Sequence, residues 1–309
     1  MITYFQAIII ALVQGATELF PISSLGHSIL IANLFGWHNL LRQESSDTSG
    51  FLTFLVVLHV ATAIALIIFY RAEWVRIIRG FARSLTTHTL QGDSDAKLAW
   101  LLVAATIPAG LVGLVFEHSL RGQFAKPFFA IVFIIVNGLI LINGDKVEQV
   151  RIQQRPRQRK ASGHKNNAVS VSLTGRVITD HIGFGRAVLI GTAQIGALFA
   201  GISRSGITMI AGLRSGLNHQ DSARFSFLLA TPIILTAGLY RLPHVIGQSG
   251  EAIRGQALVG GLVAGITAYI TVRYLDKYFQ NRSLRPFGIY CIAVGIFMLL
   301  LGIWRGSFS

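Results

Sequence analysis

The sequence is poor in cysteine, in acidic residues and in charge of either sign. Its one cysteine, Cys291, lies in an apolar run and can close no internal disulfide, so a disulfide-framed secreted domain is excluded and the residue reads as a small packing group. Charged residues make up 13% of the 309 positions against 52% hydrophobic ones, too few to cover a soluble domain of that size. Asp and Glu number 13 against 27 Lys and Arg, a net charge of +14. That excess would suit nucleic acid if it formed one patch, but the basic residues stand between apolar runs and so report membrane topology; no nucleic-acid partner is expected. A basic leader region is also missing. Gln14 and Glu18 fall where a cleavable signal would end, and the first apolar segment is expected to remain in the mature protein.

Apolar runs dominate what is present. The stretches 51–70, 98–116, 128–143, 225–240, 256–272 and 286–304 are read as six membrane-spanning helices. Two further apolar stretches, 3–37 and 187–217, are each interrupted near the middle. In the first, Pro21 breaks the run, and the 13 residues from Leu25 to Trp37 would reach roughly 20 Å as helix against a hydrocarbon core of about 30 Å. Both are therefore read as re-entrant helical hairpins, whose irregular tips are tolerated because they line an enclosed cavity. The element order of residues 1–144 recurs in 187–309, with the basic segment 145–186 between them as a partly disordered linker. This is the pattern of an inverted-topology repeat, and the fold class is an all-α polytopic membrane protein. Residues 38–50 and 71–97 read as loops, as does 117–127. If the segment after Tyr70 is cytoplasmic, 20 of the 27 Lys and Arg lie inside and six outside, with Arg204 in neither group. The N-terminus and the first hairpin then enter from outside, and the second hairpin enters from inside.

The two hairpin tips share a pattern. Shifted by 180 positions, Gln14 falls on Gln194, Ile22 on Ile202, Ser23 on Ser203, Gly26 on Gly206 and Ser28 on Thr208, while Ser24 falls on Arg204. Ionisable groups within apolar segments are costly and mark function by default, so one site built from both tips is expected. Gln14 and Glu18, four apart, share a helix face, and Ser24 and His27 share the first turn of the returning half-helix. Two half-helix N-termini offer backbone N–H groups to an anion, and Arg204 offers a two-donor fork to phosphate oxygens. Gly201 and Gly206 permit close backbone approach. A lone Glu18 would repel phosphate, which argues for a bridging divalent cation or a proton-transfer role. The bland readings are that Thr17, Ser28 and Ser205 bond back to the chain, that His59 is a polar packing residue, and that Glu18 and Arg204 form a structural ion pair joining the hairpins.

The segment QGATELFPISSLGH at 14–27 and GISRSGIT at 201–208 resemble the two signatures of the bacitracin-resistance type undecaprenyl-diphosphate phosphatases, and FSFLLATP at 225–232 is a further similar run. The resemblance covers essentially the whole chain. It implies an integral enzyme of the bacterial plasma membrane that hydrolyses undecaprenyl diphosphate to undecaprenyl phosphate and phosphate, recycling the lipid carrier of peptidoglycan synthesis. It further implies a site facing outside, a divalent cation, magnesium or calcium, and membrane lipid as surroundings; a homodimer is admitted without being required. Carried over by position, the active-site residues are Glu18, Ser23, Ser24, His27, Ser203, Arg204, Ser205 and Thr208. Glu18, Ser24, His27 and Arg204 are taken as catalytic, with Ser23, Gly26, Gly201, Ser203, Ser205, Gly206 and Thr208 binding substrate and Glu18 with Gln14 holding the metal. Ser24 is the expected nucleophile or phosphate-orienting hydroxyl with His27 as its proton partner; attack by an activated water is the alternative. Gln14 stands where some members carry glutamate, and Ala200 where proline usually precedes Gly201. The haloperoxidase-related lipid phosphatases are excluded, because the run that resembles their first motif, Lys277 to Pro286, comes last here. The competing class is a transporter or flippase of an anionic prenyl phosphate lipid, which needs Arg204 but no nucleophile and histidine.

Overall fold

The computed structural model describes residues 2–37, 40, 50–124, 127–154, 170–247, 251 and 253–305, and among them every regular element is helical. The first apolar stretch forms α1 (Tyr4–Thr17) and α2 (Ser24–Leu34). α1 starts at Thr3, whose hydroxyl accepts from the Gln6 backbone while the Gln6 side chain accepts from the Thr3 backbone, so two of the helix's free donors are satisfied at once. α3 (Gly50–Phe69), α4 (Arg71–Thr87), α5 (Ser94–Phe124) and α6 (Pro127–Gln154) complete the first repeat. After α7 (Ser170–His181), the second repeat runs through α8 (Phe184–Ala193), a 3-10 turn (Gln194–Leu198), α9 (Arg204–Arg214), α10 (His219–Ile246), α11 (Arg254–Tyr278) and α12 (Arg285–Trp304). The span-like parts of α5, α6, α10, α11 and α12 are each long and apolar enough to cross a membrane. α3, with 20 residues or about 30 Å, passes the same test only together with α4, and that bent pair makes the sixth candidate crossing. α1, α2 and α8 with its 3-10 turn are too short to do so, as their re-entrant reading requires.

Helix pairing follows a pseudo-twofold plan. The first helix of each hairpin packs on the penultimate helix of the other repeat, α1 on α11 and α8 on α5, while α3 pairs with α10 and α6 with α12. Lipid tails supply no hydrophobic drive between helices, so close backbone approach carries the packing. A Cβ added at Gly15 would collide with the Ala264 carbonyl, and one at Gly191 with the Ala105 carbonyl, the same device at the two reciprocal contacts. Gly138 and Gly288 face each other's carbonyls across α6 and α12. The plan is not kept throughout: both return helices, α2 and α9, lean on α6, and α9 packs on α10 far more than α2 does on α3.

Polar contacts tie the helix ends together. At one end Lys97 Nζ donates to the Thr179 carbonyl (2.6 Å), Arg186 to the Ser215 carbonyl (3.1 Å) and Tyr70 to Asp276 (3.1 Å). His219 meets Asp145 there at 2.6 Å, and Arg224 pairs with Glu73. At the other end Gln256 donates to the Ile2 carbonyl (3.2 Å) and Arg305 to the Leu34 carbonyl (3.3 Å).

Several boundaries differ from the sequence reading. The segment 71–97 is not a plain loop: Arg71–Thr87 is helix, bent 88° from α3, with Glu73, Ile77, Gly80 and Ser84 buried along one face. Its period of three to four was masked by its arginines, which read as loop when only apolar length is scored. Within 145–186, α6 continues to Gln154 and α7 occupies Ser170–His181 with Ile178 and Thr179 buried, so the linker holds docked helix at both ends. The expectation of disorder falls on 155–169, outside the described residues. Helix α5 continues through the expected outer loop as far as Phe124, and nearly all of 38–50 lies outside the described residues.

Candidate active site

The two hairpin tips meet inside the bundle, backbone against backbone. A Cβ at Gly26 would stand 3.0 Å from the Gly201 Cα. Gly201 has φ +114°, and a Cβ there would stand 2.6 Å from the Ala130 carbonyl oxygen, so only glycine fits this turn. The serine before each return helix caps it: Ser23 Oγ accepts from Gly26 N (3.3 Å) and Ser203 Oγ from Gly206 N (3.1 Å). Ser23 Oγ also accepts from Gly201 N across the junction (3.2 Å). Its own backbone is strained, at φ +73° for a non-glycine residue, the kind of conformation that persists where the surroundings over-determine it. Ser203 and Ser205 both donate to the Phe20 carbonyl of the first tip, at 3.4 and 3.1 Å. Asn137, fully buried on α6, clamps both tips, donating to the Pro21 carbonyl (2.9 Å) and accepting from Ser203 N (3.0 Å).

One carboxylate lies at the centre of this junction. Glu18 Oε1 accepts from Arg204 Nη2 at 2.8 Å, and Oε2 accepts from Ser24 Oγ at 2.6 Å and from Gln14 Nε2 at 2.9 Å. His59 Nε2 lies 3.4 Å from the same Oε2. Glu18, Ser24 and Gln14 are all buried, whereas the His59 side chain is 32% exposed and forms the open side of the group. Among the described residues four buried polar atoms of the hairpins have no hydrogen-bond partner: Arg204 Nη1, Gln14 Oε1, Gln194 Oε1 and Ser28 Oγ. Orphaned groups of this kind are rare and call for a ligand, and one of these is a cationic donor, Arg204 Nη1.

Of the residues expected to bind substrate, Ser23, Ser203 and Ser205 spend hydroxyl contacts on capping and on joining the tips, and Gly26, Gly201 and Gly206 make the close approach possible. Thr208 donates back to the Arg204 carbonyl (2.5 Å) and Thr17 to the Val13 carbonyl (2.6 Å). Ser24 and His27 share the first turn of α2, yet the hydroxyl of Ser24 is bonded to Glu18 while His27 faces the other way. Its Nδ1 meets the Ser23 carbonyl at 2.7 Å and its Nε2 the Tyr290 hydroxyl at 3.1 Å. The titratable group in contact with the Ser24 hydroxyl is therefore Glu18 and not His27. Three residues escaped the sequence reading. His59 reads as packing, and Asn137 and Tyr290 are lone polar groups in spans whose importance depends on which helices meet. For His59 the available signal was an imidazole on a membrane helix at all.

Among the described residues no three His, Cys, Asp or Glu side chains are placed to hold a metal by themselves. The buried, unpartnered Gln14 Oε1 and the Glu18 carboxylate are nonetheless hard oxygen donors on one helix face, which suits a cation that takes its other ligands from phosphate and water.

The profile of the family described as bacitracin resistance protein BacA matches residues 7–297. The chain belongs to the BacA family. Relatives within it include a protein of Frankia alni named undecaprenyl-diphosphatase 2, 45% identical with 95% of this chain and 96% of that protein covered. The undecaprenyl-diphosphatase of Mycolicibacterium paratuberculosis is 45% identical over 95% of each chain, and undecaprenyl-diphosphatase 2 of Chromobacterium violaceum 41% identical over 96% and 97%. BacA-family membership and the apolar helices together make this a multi-pass membrane protein.

Proposed function

We propose that the protein hydrolyses undecaprenyl diphosphate to undecaprenyl phosphate and inorganic phosphate where its two hairpin tips meet, on the outer side of the bacterial plasma membrane. It thereby returns the lipid carrier to peptidoglycan synthesis and confers resistance to bacitracin. The observation that carries the reading is the half-buried Arg204, whose Nη1 is itself buried and unpartnered among the described residues, one carboxylate away from a serine hydroxyl. Relatives of matching length named for this activity support it.

In this account Arg204 holds the terminal phosphate through Nη1 while Nη2 stays on Glu18, and the free N–H groups at the start of α2 and α9 add dipolar attraction. Ser24 Oγ attacks the terminal phosphorus and passes its proton to Glu18 Oε2, and the bond from phosphorus to the bridging oxygen breaks, releasing undecaprenyl phosphate. A water then attacks the phosphoserine. His27 takes the proton of that water, Glu18 returns its own to Ser24 Oγ, and inorganic phosphate leaves. A divalent cation held by Gln14 Oε1 and Glu18 would neutralise charge on the diphosphate.

Purified protein given farnesyl diphosphate and magnesium is expected to yield farnesyl phosphate and phosphate in equal amounts, with phosphorylated enzyme trapped on rapid quench. Unlabelled enzyme with full turnover would replace Ser24 by water as the attacking group. No phosphate, with lipid crossing the bilayer of proteoliposomes, would establish the transporter instead.

A further inference from the structure

We infer that the Tyr290 hydroxyl, on the last span of the second repeat, relays the proton that His27 takes in this reaction; the inference rests on the function proposed above. His27 Nδ1 lies 2.7 Å from the Ser23 carbonyl oxygen, and a carbonyl only accepts, so Nδ1 carries a hydrogen in either charge state of the ring. Nε2 is then the nitrogen that gains and loses a proton, and among the described residues its one hydrogen-bond partner is Tyr290 Oη at 3.1 Å. The two rings are nearly parallel, 10° apart with centroids at 5.7 Å. The phenol therefore fixes both the tilt of the imidazole and the direction in which Nε2 presents its lone pair. When Nε2 is bare the hydroxyl donates to its one lone pair, so a proton reaches Nε2 as the hydroxyl hands over its own hydrogen and takes the water's in its place; when Nε2 is protonated the hydroxyl accepts, and the contact survives the transfer.

Exposure argues that the hydroxyl matters more than the ring. His27 is 6% exposed and Tyr290 42%, so the phenol contributes little to the buried core yet meets the buried imidazole. The core face of α12 is made by Gly288, Cys291, Gly295, Met298 and Gly302, and Tyr290 lies off it. Tyr290 is also outside both hairpin signatures, 263 positions from its partner. An exposed tyrosine beside a single buried histidine is placed as histidine-ligating carboxylates are elsewhere, orienting one ring nitrogen by holding the ring.

The test is a double-mutant cycle on purified full-length protein with farnesyl diphosphate and magnesium, because an effect transmitted through His27 disappears once His27 is gone. Tyr290→Phe keeps the stacked ring and loses the hydroxyl. It is expected to lower kcat by about tenfold and leave KM within about twofold and the melting temperature unchanged. In a His27→Ala background the same change is expected to alter kcat by less than about twofold. Wild-type kcat in Tyr290→Phe, or an equal loss in both backgrounds, overturns the inference, as does a loss confined to KM. A lowered melting temperature with the full loss retained in the His27→Ala background would show a structural role and overturn it too. Absence of phosphate release by the wild-type protein overturns the proposed function together with this inference, whereas an unimpaired Tyr290→Phe enzyme overturns this inference alone.

Discussion

Arg204 Nη2 and Glu18 Oε1 are 2.8 Å apart, so each hairpin tip contributes one charge to a single pair, in which the carboxylate is buried and the guanidinium half-buried. The pair both joins the two repeats and aims the guanidinium, whose Nη1 remains for a ligand. Removing the carboxylate leaves the cation uncompensated. Glu18→Gln is expected to lower stability by about 3 to 5 kcal/mol, read as a drop in melting temperature in detergent, along with loss of activity. A variant that melts like the wild type would mean that the tips do not depend on the pair.

Ser24 is the hydroxyl in contact with that carboxylate, at 2.6 Å. Ser24→Ala removes the attacking oxygen and is expected to reduce phosphate release at least about a hundredfold, while stability changes by only about 1 to 3 kcal/mol, the worth of a hydrogen bond to a charged acceptor. Phosphate-release kinetics and thermal melting measure the two separately. Activity within a few-fold of the wild type would remove Ser24 from the chemistry.

The meeting of the tips depends on Gly201. A Cβ there combines φ +114° with a 2.6 Å approach to the Ala130 carbonyl, so Gly201→Ala is expected to cost about 2 kcal/mol or more and to lower the yield of folded protein. Gly110, on α5, has nothing within 4 Å of such a Cβ, and Gly110→Ala is expected to be neutral or stabilising by about 0.5 to 1 kcal/mol. Melting curves of the two variants, side by side, test whether the turn is as tight as described.

Much of this site was legible in the sequence because polar residues stand out where hydrocarbon is expected. Gln14, Glu18, Ser24, His27 and Arg204 were singled out by that contrast, and broken apolar runs too short to span gave both hairpins. The pairing of Glu18 with Arg204 was weighed only as a staple competing with phosphate binding, whereas the geometry lets one guanidinium do both, since its two terminal nitrogens are used differently. Asn137 and Tyr290 could not be read in advance. Each is a single polar side chain on an apolar helix, and its role exists only because α6 meets both tips and α12 passes beside α2. Helix α4 was missed for the opposite reason, its buried face being too polar to register as apolar length.

The position of Gln14 bears on the cation. Gln14→Glu places a second carboxylate one turn from Glu18, which raises the attraction for a divalent ion and adds like-charge repulsion when none is bound. The magnesium concentration for half-maximal activity is expected to fall by roughly tenfold, and melting in chelator to occur at lower temperature than in magnesium by a wider margin than for the wild type. Unchanged magnesium dependence in both measurements would take Gln14 out of the metal site.

Arg204→Lys tests the central claim most directly, measured as phosphate release from undecaprenyl diphosphate beside thermal melting of the same preparation. Lysine keeps the charge facing Glu18 but is one point donor in place of a planar fork, and cannot hold the carboxylate with one nitrogen and a phosphate with another. The account expects a folded, membrane-inserted protein that melts near the wild-type temperature and releases phosphate at least about tenfold more slowly. A normally stable Arg204→Lys protein with full activity would contradict it.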